Sequence, residues 1–343
     1  MSAQQSRSEK KKQAERVSHL IGRINELDCE TPSELLSHVA ALIPDLAHPA
    51  LELHCDAVLR TSVAVINAMD GEARFPQIWA EAHGDLAWSS IQGGRPDLAR
   101  TILSDLFADH RLVASLDTPD LARMHQWLAV AHYQEGDPEA ATSECRKALD
   151  LHAAGSDEAA IAACTRNLGV FLADQRDYDE ALVHLHDAAR LYRDQLGAGH
   201  SATAEVNCQI ASILSVKGQT DEAEAMLTES LANLQSNPDA IPADFGKVYM
   251  GQSYNWARRG RFDRAEASMH EAWSMFEDPT SPSQSRTTVR LISYANQLSV
   301  VNNLQRHPKN VVETALQALN ALLLTRFTYE GVTASRSPQD RSS

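Results

Sequence analysis

The chain has 343 residues, with 46 acidic side chains against 31 basic ones, for a formal net charge of −15. An apolar fraction of 43% is enough for a large core and excludes wholesale disorder. Residues 1–16 hold five basic and two acidic groups, so the remainder carries −18, a body that repels phosphate backbones and argues against a nucleic-acid partner.

Taken in chain order, residues 1–28 read as a basic amphipathic helix, whose Arg7, Lys10, Lys11, Lys12 and Arg16 are interrupted by Glu9 and Glu15. Residues 29–74 read as a degenerate helical hairpin or cap. From 75 to 278 a repeat dominates. Five hexapeptides align: GRPDLA (94–99), GDPEAA (136–141), RDYDEA (176–181), GQTDEA (218–223) and GRFDRA (260–265). Their closing alanines, Ala99, Ala141, Ala181, Ala223 and Ala265, lie 42, 40, 42 and 42 residues apart. Residues 279–327 read as a degenerate C-terminal repeat or cap, and 328–343 as a polar, disordered tail.

Each hexapeptide has the chemistry of a tight turn between two helices. The Gly, replaced once by Arg176, ends the first helix where φ > 0 is needed. Asp137 suits an N-cap followed by Pro138, and Asp177 with Glu180 has capping-box spacing. Upstream, the first helix carries apolar sets at helical spacing, such as Leu128 and Ala129, Leu168 and Gly169, and Ile210 and Ala211. A small residue (Ala87, Ala129, Gly169, Ala211, Ser253) recurs twelve positions before each turn alanine. Downstream, the second helix presents Leu103, Cys145, Leu185, Leu227 and Met269. Each unit is therefore expected to be a helix hairpin with two small contact points.

These residues resemble the tetratricopeptide repeat family. The period of 40–42 residues exceeds the family's usual 34 and is similar to the longer-helix subclass that includes kinesin light chain. Asn167-Leu168-Gly169 and the segment from Gln195 to Ala204 are similar to that subclass's first-helix signature and inter-repeat linker. Arg176, Ser253 and His83 depart from its pattern. The resemblance implies an all-α, right-handed α-α superhelix of about six hairpins with extra N-terminal helices.

No motif for catalysis survives inspection: GxSxG, HExxH, GxGxxG and GxxxxGK[ST] are all missing. The five cysteines (Cys29, Cys55, Cys145, Cys164, Cys208) are odd in number and form no CxxC, the usage of a reducing compartment. No apolar run approaches about 18 residues, so no membrane insertion is expected and a cytoplasmic location is the default. The chain holds 14 histidines. His125 and His132 read as packing or hydrogen-bonding groups, and the loose set His48, His54 and Cys55 lacks a second ligand pair. No enzyme activity, cofactor or metal is expected. The sequence leaves the oligomeric state open.

The expected work is non-catalytic: a scaffold or adaptor that binds a peptide segment of another protein in a concave groove. A peptide-sensing bacterial regulator, with an N-terminal helical bundle before the array, is the alternative. The groove would be lined by the first-helix stripe opposite the core. Its candidate residues are Asp85, Trp88, Arg123, Trp127, Val130, Arg166, Asn167, Val170, Gln209, Lys247, Tyr254 and Arg258. In the resembled family Asn167 matches the groove asparagine that holds a peptide backbone. Arg123, Arg166, Lys247 and Arg258 beside three aromatics imply a ligand with acidic and apolar side chains across repeats two to five.

Overall fold

In the computed structural model the described residues are 76–276, apart from positions 93 and 156. They form eleven α-helices, with no strand among the described residues. These are α1 (Pro76–Gln92), α2 (Pro96–Ala108), α3 (His110–Ser115), α4 (Thr118–Gln134), α5 (Pro138–Gly155), α6 (Glu158–Asp174), α7 (Tyr178–Leu196), α8 (Ser201–Val216), α9 (Thr220–Gln235), α10 (Pro242–Arg258) and α11 (Phe262–Phe276). The elements expected at 1–28, 29–74, 279–327 and 328–343 lie outside the described residues.

The chain divides into two compact units, Met1–Gly155 and Ser156–Ser343. In the first, α1 packs on α2 and α4 on α5, while the short α3 rests on α1. In the second, α6 pairs with α7, α8 with α9 and α10 with α11. There α8 also packs between α7 and α10, so neighbouring hairpins share an interface.

One turn closes all five hairpins. Gly94, Gly136, Arg176, Gly218 and Gly260 have φ of 77°, 84°, 65°, 83° and 70°. At each, the next residue's N–H donates back across the turn: Arg95 to the Ser90 carbonyl, Asp137 to His132, Asp177 to Leu172, Gln219 to Leu214 and Arg261 to Trp256. These are Schellman C-caps, which satisfy carbonyls that a helix end leaves open. The side chains of Asp137 and Asp177 then accept from the Ala140 and Glu180 N–H groups and start the second helices. A methyl group added at Gly218 meets nothing within 4 Å. Any loss on Gly218→Ala therefore reports backbone conformation alone, and we expect about 1 kcal/mol in a denaturant melt. An unchanged midpoint would mean that the turn does not need its left-handed residue.

The small contact points are where the period placed them. The five turn alanines are fully buried. A Cβ on Gly169 would sit 2.6 Å from the Leu185 Cγ and 3.1 Å from the Ala181 carbonyl oxygen. Ser253, which keeps the small-residue spacing but departs from the resembled family's pattern, donates its hydroxyl to the Ala265 carbonyl at 2.8 Å. His83 is buried. His125 bridges to Glu144 at 2.7 Å and stacks on Phe107 with ring centroids 4.4 Å apart. Burial pushes the Glu144 carboxyl up, but the bonds from His125 and Lys147 outweigh it and hold it below its ordinary range. Neighbouring turns are tied at one register by Lys217 with Asp179 and by Arg259 with Asp221.

Candidate functional site

The first helices of the hairpins, α1, α4, α6, α8 and α10, place Asp85, Trp127, Asn167, Gln209 and Gly251 at one repeat-equivalent register. The expected stripe is built around these positions.

In the first unit Asp85, Trp88 and Arg123 are partly exposed, whereas Trp127 and Val130 are buried. Trp88 stacks on Trp127 with centroids 5.9 Å apart and planes at 19°. The Arg123 guanidinium lies 5.5 Å over the Trp127 ring and pairs with Asp120. The two indoles were expected to face a groove. Instead they fill the contact between α1 and α4, because stacking buries more of each ring than exposure would.

In the second unit the stripe is enclosed. Arg166 and Asn167 are 1% and 0% exposed, and Gln209 and Lys247 are 1% and 8% exposed. Val170 and Tyr254 are likewise buried, and only Arg258 is partly exposed, donating to the Val216 carbonyl at 3.3 Å. Every residue of α6 from Ala162 to Ala173 is buried, so this helix presents no open polar face.

The buried charges compensate one another across three helices. Arg166 of α6 donates to Glu205 of α8 at 3.0 Å, and Lys247 of α10 donates to the other Glu205 oxygen at 3.3 Å. Asp244 lies 4.0 Å from Lys247. Arg166 also donates to the Asn167 side-chain oxygen at 3.2 Å. The surroundings are dry: burial pushes the Cys208 thiol up to about 12, and raises the Tyr192 phenol above its ordinary range. This corrects the reading of Arg166 and Lys247 as free cations awaiting an acidic ligand. It also rules out Arg166→Glu as a silent probe of binding, since the new carboxylate would face Glu205 in a buried site. Glu205 and Asp244 were absent from the candidate set. The available signal was the alternation of charge between repeats, with Glu205 and Lys247 at equivalent positions 42 residues apart.

After these pairings several polar atoms stay buried with no hydrogen-bond partner among the described residues. Among them, from four residues of the candidate set, are the Trp127 Nε1, the Asn167 Nδ2, both amide atoms of Gln209 and the Arg166 Nε. Three of the four residues, Trp127, Asn167 and Gln209, share the stripe's central register. An unsatisfied buried polar group costs about 1–3 kcal/mol.

The tetratricopeptide repeat model matches residues 122–153 and 158–236. Among curated proteins, a clustered mitochondria protein homolog from Aspergillus fumigatus is 22% identical over 258 residues, covering 70% of this chain. The chain spans about a fifth of that relative's length, 19%. Among solved structures, a Rap protein complexed with competence and sporulation factor has TM-score 0.54 at 13% identity, covering 90% of this chain and 88% of that one. The apo form of RapI has TM-score 0.52 at 9% identity, covering 92% and 97%. A putative kinesin light chain from Podosopora anserina, with nearly identical repeats, has TM-score 0.50 at 15% identity, covering 61% and 100%. Together with the five like turns and the paired helices, these matches make residues 122–153 and 158–236 tetratricopeptide repeats.

Proposed function

We propose that this chain is a peptide-binding interaction module whose ligand segment is held by the Asn167–Gln209 register of the second unit. Tetratricopeptide repeat proteins generally mediate protein–protein interactions and are typically non-catalytic. One observation carries the finer reading: the Asn167 and Gln209 side chains lie at one register on neighbouring first helices, buried, with the Asn167 amide nitrogen and both Gln209 amide atoms unsatisfied by any described residue. Main chain of an extended peptide supplies the missing carbonyl and N–H partners. Packed helices lie about 8–10 Å apart and an extended chain advances about 3.3 Å per residue, so each repeat reads about every third residue. The stripe is enclosed, so binding requires it to open, and apparent affinity is lowered by the fraction of molecules that are open.

The test is peptide display panned against the wild-type chain, followed by binding to an Asn167→Ala/Gln209→Ala double variant. Selected peptides should lose about tenfold or more in affinity, as expected for two hydrogen bonds, measured at a temperature where circular dichroism shows both proteins folded, because Asn167→Ala also removes an acceptor from Arg166. Peptides that bind both proteins equally would place the site elsewhere.

A second reading, a peptide-sensing regulator, draws support from one comparison. The Rap likeness extends over 90% of this chain, beyond the matched repeats, and that Rap protein was solved with competence and sporulation factor bound. Binding of a short secreted peptide encoded beside this gene would favour the regulator. Binding only of segments from larger proteins would favour the scaffold.

A further inference from the structure

We infer that the turn between α10 and α11 is a separate docking site for a short acidic segment of a partner protein, whose carboxylates bind Arg259, Arg261 and Arg264 around the ring of Trp256. Trp256 is two residues from Tyr254 and two from Arg258, so by helical phase it sits off the first-helix stripe. The site stands or falls without the Asn167–Gln209 register.

The turns of the second unit differ in charge. The third carries Arg176 against Asp177, Asp179 and Glu180, for a net −2, and the fourth carries Lys217 against Asp221 and Glu222, for −1. The fifth carries Arg259, Arg261 and Arg264 against Asp263, for +2, a local reversal of sign on a chain of −15. Trp256 gives that charge a fixed shape. The Arg259 guanidinium lies 4.9 Å from the Trp256 ring centroid and that of Arg264 4.7 Å. The ring itself is half-buried and packs against the core cluster of α10 and α11. A guanidinium stacked on an anchored ring keeps its N–H edge for a planar acceptor and loses less freedom when one arrives.

The acceptors already present are few and exposed. Arg259 donates to the Asp221 carboxylate at 2.8 Å and to the Thr220 carbonyl, but Asp221 is 98% exposed. Arg261 has Asp263 at 3.8 Å, with both side chains more than half exposed. Arg264 is exposed and pairs with no carboxylate among the described residues. The Arg259–Asp221 pair shows that this stack takes a carboxylate, and Arg264 is a second guanidinium on the same ring without one. Two like charges sharing a ring repel, and an incoming anion relieves that repulsion.

The surrounding charge sets the size of the ligand. Lys217 with Asp179 and Arg259 with Asp221 hold the third, fourth and fifth turns side by side. A long polyanion would run from the cationic turn onto the acidic ones, which argues against nucleic acid and against an anionic membrane. A segment of a few residues with two acidic side chains stays on the cationic turn.

The probe is an N-acetylated, C-amidated hexapeptide of alternating Asp and Gly, with the same peptide carrying Asn for Asp as its neutral control. At about 0.15 M ionic strength the screening length is about 8 Å, so distant charge is screened while contacts at the turn persist. In a heteronuclear NMR titration the Trp256 indole and Arg264 Nε–H resonances should move together and saturate with the acidic peptide, and stay in place with the neutral one. Arg264→Ala should weaken binding about fivefold or more, and Arg264→Lys should not restore it, because the planar fork is lost. Arg190→Ala, which removes an exposed cation of α7 paired with Asp187, should bind as wild type does. Trp256→Phe should keep binding that Trp256→Leu loses, and Arg264→Ala decides the question even where the Trp256 variants fold poorly. Acidic peptide bound with both resonances unmoved, equal affinities for Arg264→Ala and Arg190→Ala, or no binding of the acidic peptide would each overturn the inference. Self-association of the chain that Arg264→Ala abolishes would assign the turn to a second copy and overturn it too.

Discussion

Glu205→Ala is expected to destabilise the chain by about 3–5 kcal/mol, the largest loss among single charge deletions in the described residues. The reason is what remains rather than what leaves. Arg166 is 1% exposed and its Nη1 donates to Glu205, while Lys247 donates to the other oxygen of the same carboxylate. Removing that carboxylate strands a guanidinium and an ammonium in a site dry enough to hold the Cys208 thiol up at about 12. Asp244, at 4.0 Å from Lys247, offsets one charge only in part. The contrast is the turn-to-turn pair of Lys217 with Asp179, whose carboxylate is 89% exposed. Lys217→Ala there should change stability by no more than about 1 kcal/mol. Chemical denaturation of the two variants makes the comparison. Equal small losses would mean that water reaches the Arg166–Glu205 pair.

Ala181→Trp is expected to cost about 1–3 kcal/mol or more by overpacking, and Ala223→Trp the same. Ala181 is fully buried, and its carbonyl lies 3.1 Å from the point where a Gly169 Cβ would stand. The two helix backbones of that hairpin are thus already as close as they can come, and an indole has no volume to enter. Val183 lies two residues along the same helix and is 60% exposed, so Val183→Trp supplies a control with the same added bulk. Melting curves should separate the first two substitutions from the third. Coincident curves would contradict the hairpin packing.

The hairpins were legible in the sequence because their determinants are local. A left-handed residue, a helix cap and a small side chain twelve positions upstream of an alanine constrain the backbone within one repeat. The spacing therefore identified the turns even where Arg176 stands in place of Gly. Arg176 adopts φ of 65° because the surrounding Schellman bonds hold it there. The site was legible in register but not in exposure. Helical phase placed Asn167, Gln209 and Lys247 on one stripe, and phase alone does not say how much of a stripe is covered. Arg166 and Lys247 looked like free cations because their partner, Glu205, is 39 and 42 residues away in the chain. Trp88 and Trp127 looked like groove aromatics because stacking between helices leaves no mark in either helix's own periodicity.

The most direct measurement is a heteronuclear NMR titration that follows the side-chain amide resonances of Asn167 and Gln209 while a display-selected peptide is added to the wild-type chain. The proposed reading expects both amide proton pairs to move downfield together and to saturate with the binding curve, because each gains an acceptor. Saturable binding of the peptide with both amide resonances unmoved would contradict it.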